Sequence, residues 1–174
     1  MRENTNSLVL KKEGWLALAF LIGMATAAPL IFRQQLIAGT VVNATLILGT
    51  ALLGVRYALL IGLVPSSMAL AVGLLSPAMA PMLPFIILGN VVLVLSFAFL
   101  QRNSYWPGLL AGSLLKFALL YAASAYLFSN LLSPPLAPAL AQMMSWPQLV
   151  TALAGGTLAF GLLRVLKKNG GYYA

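Results

Sequence analysis

Six apolar stretches, each about the twenty residues needed to cross a bilayer as a helix, follow one another with only short polar breaks: roughly 14–32, 34–54, 57–76, 81–100, 106–129 and 146–166. They account for most of a 174-residue chain and leave no polar stretch longer than the first 14 residues. The pattern predicts an all-α integral membrane protein, a bundle of six transmembrane helices forming a single membrane domain over 1–174. The run PAMAPMLPFIILGNVVLVLSFAFL, from Pro77 to Leu100, organises the rest. It begins with a proline-broken entry and is then apolar except for Gly89-Asn90 and Ser96.

Because the background is so apolar, the polar exceptions carry the information. At 1.5 Å per residue, Asn90 lies roughly 13 Å past Pro81 and Lys116 roughly 15 Å past Trp106, both near the middle of a hydrocarbon layer about 30 Å thick. Lipid offers neither side chain a partner. In the second run Gln35, Gly39, Asn43, Thr50 and Gly54 fall near one helical face, a small and polar stripe that predicts contact with other helices. Asn43, Asn90 and Lys116 thus come from three spans and reach similar depth, as a small-molecule site between helices requires. Taken singly, each asparagine could equally bond to a neighbouring helix, and Lys116 could snorkel toward an interface on its long stem. Asn43-Ala44-Thr45 matches a glycosylation triplet, but a buried triplet is no acceptor.

Composition narrows the chemistry further. With 61% hydrophobic and 7% charged residues, far below the quarter charged that soluble domains carry, the chain has no room for a soluble catalytic domain. Cysteine and histidine are absent, which removes disulfides, thiolate nucleophiles, imidazole bases and nearly all zinc sites. The two acidic residues, Glu3 and Glu13, both precede the first run, so a carboxylate proton relay within the membrane has no carrier. No cofactor or metal is expected. Met79, Met82, Met143 and Met144 are the one soft-metal alternative, against an adaptable apolar lid.

The net charge of +8 comes from lysines and arginines scattered singly between apolar runs, not from a stripe of the kind that binds nucleic acid. With the N-terminus in the cytoplasm, Arg2, Lys11, Lys12, Arg56, Arg102, Arg164, Lys167 and Lys168 all lie inside, Arg33 lies outside and Lys116 falls within a span. The positive-inside rule therefore predicts both termini cytoplasmic. Trp15, Tyr57, Trp106 and Trp146 sit at span ends, as interfacial aromatics do. The first run also has the look of a cleavable signal peptide, with Lys11-Lys12 ahead of it and Ala25-Thr26-Ala27 near its end. Its small residues have another use: Ala19, Gly23 and Ala27, spaced by four, form a seam along which a partner helix, or a helix of the same bundle, could approach.

These features resemble the substrate-binding S component of energy-coupling factor (ECF) transporters. The likeness is carried by residues 34 to 100: Gly39, Val42, Asn43 and Ala44, then LLSP from Leu74 to Pro77, then PFIILGN from Pro84 to Asn90, followed by a lysine in the fifth span. The resemblance implies a multi-pass protein of a prokaryotic plasma membrane that captures a vitamin or related micronutrient from outside. It further implies that a transmembrane coupling subunit and two cytoplasmic ATPase subunits power uptake, the chain itself hydrolysing nothing. Lys116, Asn90 and Asn43 would contact the substrate, Arg33, Gln34 and Gln35 would belong to the gating loop, and Ala19, Gly23 and Ala27 would dock on the coupling subunit. The residue sets of the riboflavin, thiamine, biotin and cobalt-type members are not present, and the missing histidines exclude the metal-binding type. The rival readings are a non-transporting assembly or anchoring subunit, a stand-alone facilitator or exporter, and an intramembrane enzyme using a Ser-Lys pair at Lys116.

Overall fold

The structure, a computed structural model, describes residues 12–32, 34–71, 77–130 and 141–170. They form six long helices: α1 (Lys12–Ile31), α2 (Gln35–Leu52), α3 (Val55–Ala71), α4 (Leu83–Leu100), α5 (Tyr105–Asn130) and α6 (Trp146–Gly170), with a 3-10 helix over Pro77–Met82 leading into α4. Five helices are long and apolar enough to cross a membrane, and α3 contributes a shorter apolar stretch, Val55–Met68. The remainder of the third run, 72–76, lies outside the described residues, as does most of the proline-rich segment before α6.

Large apolar side chains occupy both the interior and the outer surface. Leu16, Phe20, Leu60, Leu95, Phe99, Leu115 and Leu162 are exposed while Leu46, Ile61, Leu93 and Phe97 are fully buried. A helix apolar all round has no water-facing side, which is the signature of a lipid-surrounded bundle. The chain is therefore a multi-pass helical membrane protein.

α2 is the hub of the bundle. It packs against α1, α3, α4 and α6, and its residues from Asn43 to Thr50 are all buried. The outer helices follow in the order α1, α3, α4, α5, α6 around it. α1 packs on α2 and α3, with Leu18, Leu21 and Ala25 in the main core, so the first run is an integral part of the bundle. One end is pinned by aromatics: Tyr105 donates to the Gly156 carbonyl at 2.6 Å and its ring meets Phe97 and Phe160 at centroid distances of 5.0 and 4.9 Å, while the Arg164 guanidinium sits 4.4 Å over Phe160. At the opposite end Met82 and Met144 are buried with Leu120, and Met143 packs beside them. These thioethers thus lie in an apolar cluster. The side chain of Met79 lies outside the description.

Two glycines shape this arrangement. Gly54, expected on the α2 stripe, instead lies beyond the helix end with φ +89°, the left-handed conformation that stops α2 and turns the chain into α3. Among the described glycines Gly155 makes the closest approach to another helix's backbone: a β-carbon there would lie 2.6 Å from the Thr40 carbonyl oxygen and 2.7 Å from the Ala44 nitrogen, both of α2. Gly155→Ala must therefore part α2 from α6 and is expected to lower stability by about 1–3 kcal/mol, the usual cost of overpacking. Gly161→Ala, where a β-carbon meets nothing within 4 Å, is the control. Equal unfolding temperatures for the two variants in detergent would contradict the close approach.

Candidate functional site

Each residue of the buried polar centre is placed by a different helix. Asn43 stands in the third turn of α2, Asn90 about two turns into α4, and Lys116 in the middle of α5. Gly108 and Gly112 are buried on the same side of α5 as Lys116, bringing that face close to α4. Lys116 is only 3% exposed. Its Nζ donates to Asn43 Oδ1 at 2.7 Å and to Asn90 Oδ1 at 2.8 Å. The snorkelling alternative is thereby excluded, and the three residues singled out by their depth do meet.

Both amides are held in register from behind. Asn43 Nδ2 donates to Thr151 Oγ1 at 3.2 Å, and Thr151 Oγ1 donates onward to the Gln148 carbonyl at 3.2 Å. Asn90 Nδ2 donates to the Gly62 carbonyl at 3.3 Å. Every donor in the cluster points away from the ammonium, and the chain of bonds ends on backbone carbonyls. Reversing either amide would turn its NH2 toward a cation, so the network has one stable sense. It presents two acceptor oxygens to Nζ and no carboxylate, since Glu13 stands in the first turn of α1 and Glu3 precedes it in the sequence.

An ammonium has three protons, and two are committed. Lys116 also lines a cavity of about 300 Å3 together with Asn43, Asn90, Gln35, Ser66 and Gln148. Its apolar wall comes from Ala25, Pro29, Phe32, Val42, Ile86 and Met144. This volume is at the small end of ligand pockets, which run from about 300 to 1,000 Å3. Phe32, Gln35 and Leu83 stand at helix ends, so the cavity reaches from the end of the bundle remote from Tyr105 down to the mid-helix lysine.

Gln35 Nε2 donates to the Met143 carbonyl at 2.7 Å, and Gln148 Nε2 reaches the same oxygen at 3.1 Å. These bonds tie the segment before α6 to α2 across the cavity mouth. Gln34 is exposed, and with Gln35, Gln142 and Met143 it borders a second depression of about 580 Å3 beside that mouth. Arg33 lies outside the described residues. On α1, Ala19 and Gly23 are exposed and Ala27 half-buried, and a β-carbon at Gly23 would meet nothing within 4 Å. The small-residue stripe therefore faces outward rather than serving packing within this bundle.

Sequence reasoning did not assign Thr151, Gln148, Ser66 or the Gly62 carbonyl to the site. Gln148 and Thr151 carried a usable signal, polar residues in an otherwise apolar run. The Gly62 carbonyl carried none, because a main-chain acceptor is invisible in sequence. No protein-family model matches the chain, and no curated protein and no solved structure matches it either.

A double-mutant cycle checks the central bond. Asn90→Leu and Lys116→Met are each expected to cost about 1.5–3 kcal/mol, the range for a hydrogen bond to a charged group. The double variant should lose clearly less than the sum, because each single change leaves the other partner unsatisfied. Additive losses in detergent unfolding would mean that the two side chains do not interact.

Proposed function

We propose that the protein is the substrate-capture subunit of an ECF-type importer, binding a small organic micronutrient from outside and relying on a separate coupling subunit and two ATPase subunits for energy. The observation that carries the reading is a buried lysine, fixed by two locked amides, that lines a cavity. Purely structural polar clusters in bundles satisfy themselves against neighbouring helices, and a cationic one facing a void is costly unless a ligand uses it. In this reading Lys116, Asn43 and Asn90 form the floor of the site, and Gln35 with Gln34 and Arg33 belongs to its gate.

The charge pattern supports one orientation. Arg56, Arg102, Arg164 and Lys167 all lie toward the helix ends opposite the cavity mouth, which supports cytoplasmic termini and a mouth open to the outside of a prokaryotic plasma membrane. The outward stripe of Ala19, Gly23 and Ala27 supplies a face on which a coupling subunit's helices can approach closely. The same stripe suits an assembly subunit without transport activity, so ligand binding is what separates the two readings.

Native mass spectrometry of protein purified from its own membranes in mild detergent tests the proposal. A co-purifying small molecule and associated coupling and ATPase subunits are expected, with the molecule lost in Lys116→Met. Helical partners without a ligand would favour the assembly subunit, and uptake by vesicles holding this chain alone would favour a facilitator. Gly23→Leu is expected to leave the unfolding temperature unchanged, since the position is open, while sharply reducing recovery of the coupling subunit. Normal recovery would remove the stripe from the docking face.

A further inference from the structure

We infer that the ligand of the Lys116 cavity is a small monoanion with an apolar body, its acidic group taking the ammonium proton that the protein leaves uncommitted; the inference rests on the capture reading. Three observations converge on it. The first is charge balance. Lys116 is 3% exposed and its two partners are neutral amide oxygens, which solvate a cation without neutralising it. The two acidic residues of the chain are Glu13, in the first turn of α1, and Glu3 ahead of it in the sequence, and neither lines the cavity. An isolated buried charge is retained at a cost of several kcal/mol unless a counter-charge is close, and the one open direction is the cavity.

The second is the sense of the surrounding bonds. The hydrogens of both asparagines run outward to Thr151 and the Gly62 carbonyl, so the amides present only acceptor oxygens to Lys116 and hold its charge in place. A cationic ligand would meet the ammonium head on, and a neutral one would leave it unpaired. A single anionic group closes the set with one charge-assisted bond.

The third is the wall. Besides Lys116, Asn43 and Asn90 the lining includes Ala25, Pro29, Phe32, Val42, Ile86 and Met144, and its other polar side chains are Gln35, Ser66 and Gln148. A polyanion or a sugar would leave many hydroxyls or charges against hydrocarbon, whereas an aromatic or short aliphatic acid matches one charged contact to an apolar enclosure.

The test uses purified full-length protein and two matched probe sets: benzoate, benzamide and benzylammonium, and indole-3-acetate, indole-3-acetamide and tryptammonium. Each set keeps the ring and changes the charge. Thermal unfolding should rise saturably with the carboxylates, with the amides and amines needing at least about tenfold higher concentration for the same shift. The carboxylate shift should vanish in Lys116→Met and persist in part in Lys116→Arg. Equal shifts across each set, or none with either carboxylate, would overturn the inference, and the wild-type comparison decides this even if the variants do not fold. The two readings fail separately: a neutral or cationic metabolite co-purifying with the protein overturns the monoanion and leaves capture standing. Partner helices with no metabolite overturn capture itself.

Discussion

One buried ammonium sets the terms for the rest of this molecule. Lys116 lies where neither lipid nor a carboxylate can satisfy it, and its position is tolerable because two amide oxygens converge on it from separate helices. That convergence dictates much of the packing. α2 and α4 must bring Asn43 and Asn90 to the same level, α6 must approach α2 closely enough for Thr151 to hold Asn43, and α3 must offer the Gly62 carbonyl to Asn90. Five helices are tied through one cluster.

The apolar contacts serve the same end. The main core clamps α1, α2, α3 and α4 on the side of the bundle where the chain turns at Gly54, while the aromatic group around Tyr105 fixes α4, α5 and α6. Both lie away from the cavity mouth. Toward the mouth the packing passes to methionine, with Met82 and Met144 buried against Leu120, and to hydrogen bonds from two glutamine side chains to one carbonyl. Methionine adapts its shape at low cost, and a few bonds are easily exchanged. The floor of the cavity is thus held by converging hydrogen bonds, and its rim by side chains that adapt.

How much of this the sequence disclosed depends on the kind of signal. The all-helical apolar bundle and the convergence of Asn43, Asn90 and Lys116 were legible because a polar residue in an apolar run marks its own depth, whereas α3 supplies a shorter apolar stretch than its run promised. The outward direction of Gly23 was not, since small-residue spacing describes a face but not its neighbour. Gly54 was assigned to the α2 stripe because helical periodicity continues past a helix end; only its positive φ reveals the turn. The network behind the amides was hidden for a further reason. Which helix lies next to which is settled by close backbone approaches, as at Gly155 against Thr40 and Ala44, and by main-chain acceptors, neither of which has a period. Arg33 and the residues from 131 to 140 lie outside the described residues, so the expectations placed on them stand as sequence readings.

The central claim is that the third proton of Lys116 belongs to a ligand. A high-resolution experimental structure of the protein taken from its own membranes, without added compounds, measures this directly. Non-protein density is expected in the cavity, with an acceptor atom within hydrogen-bond distance of Lys116 Nζ, alongside the retained bonds to Asn43 and Asn90. An ammonium whose third proton is taken by another protein acceptor, beside a cavity holding no such density, would contradict it.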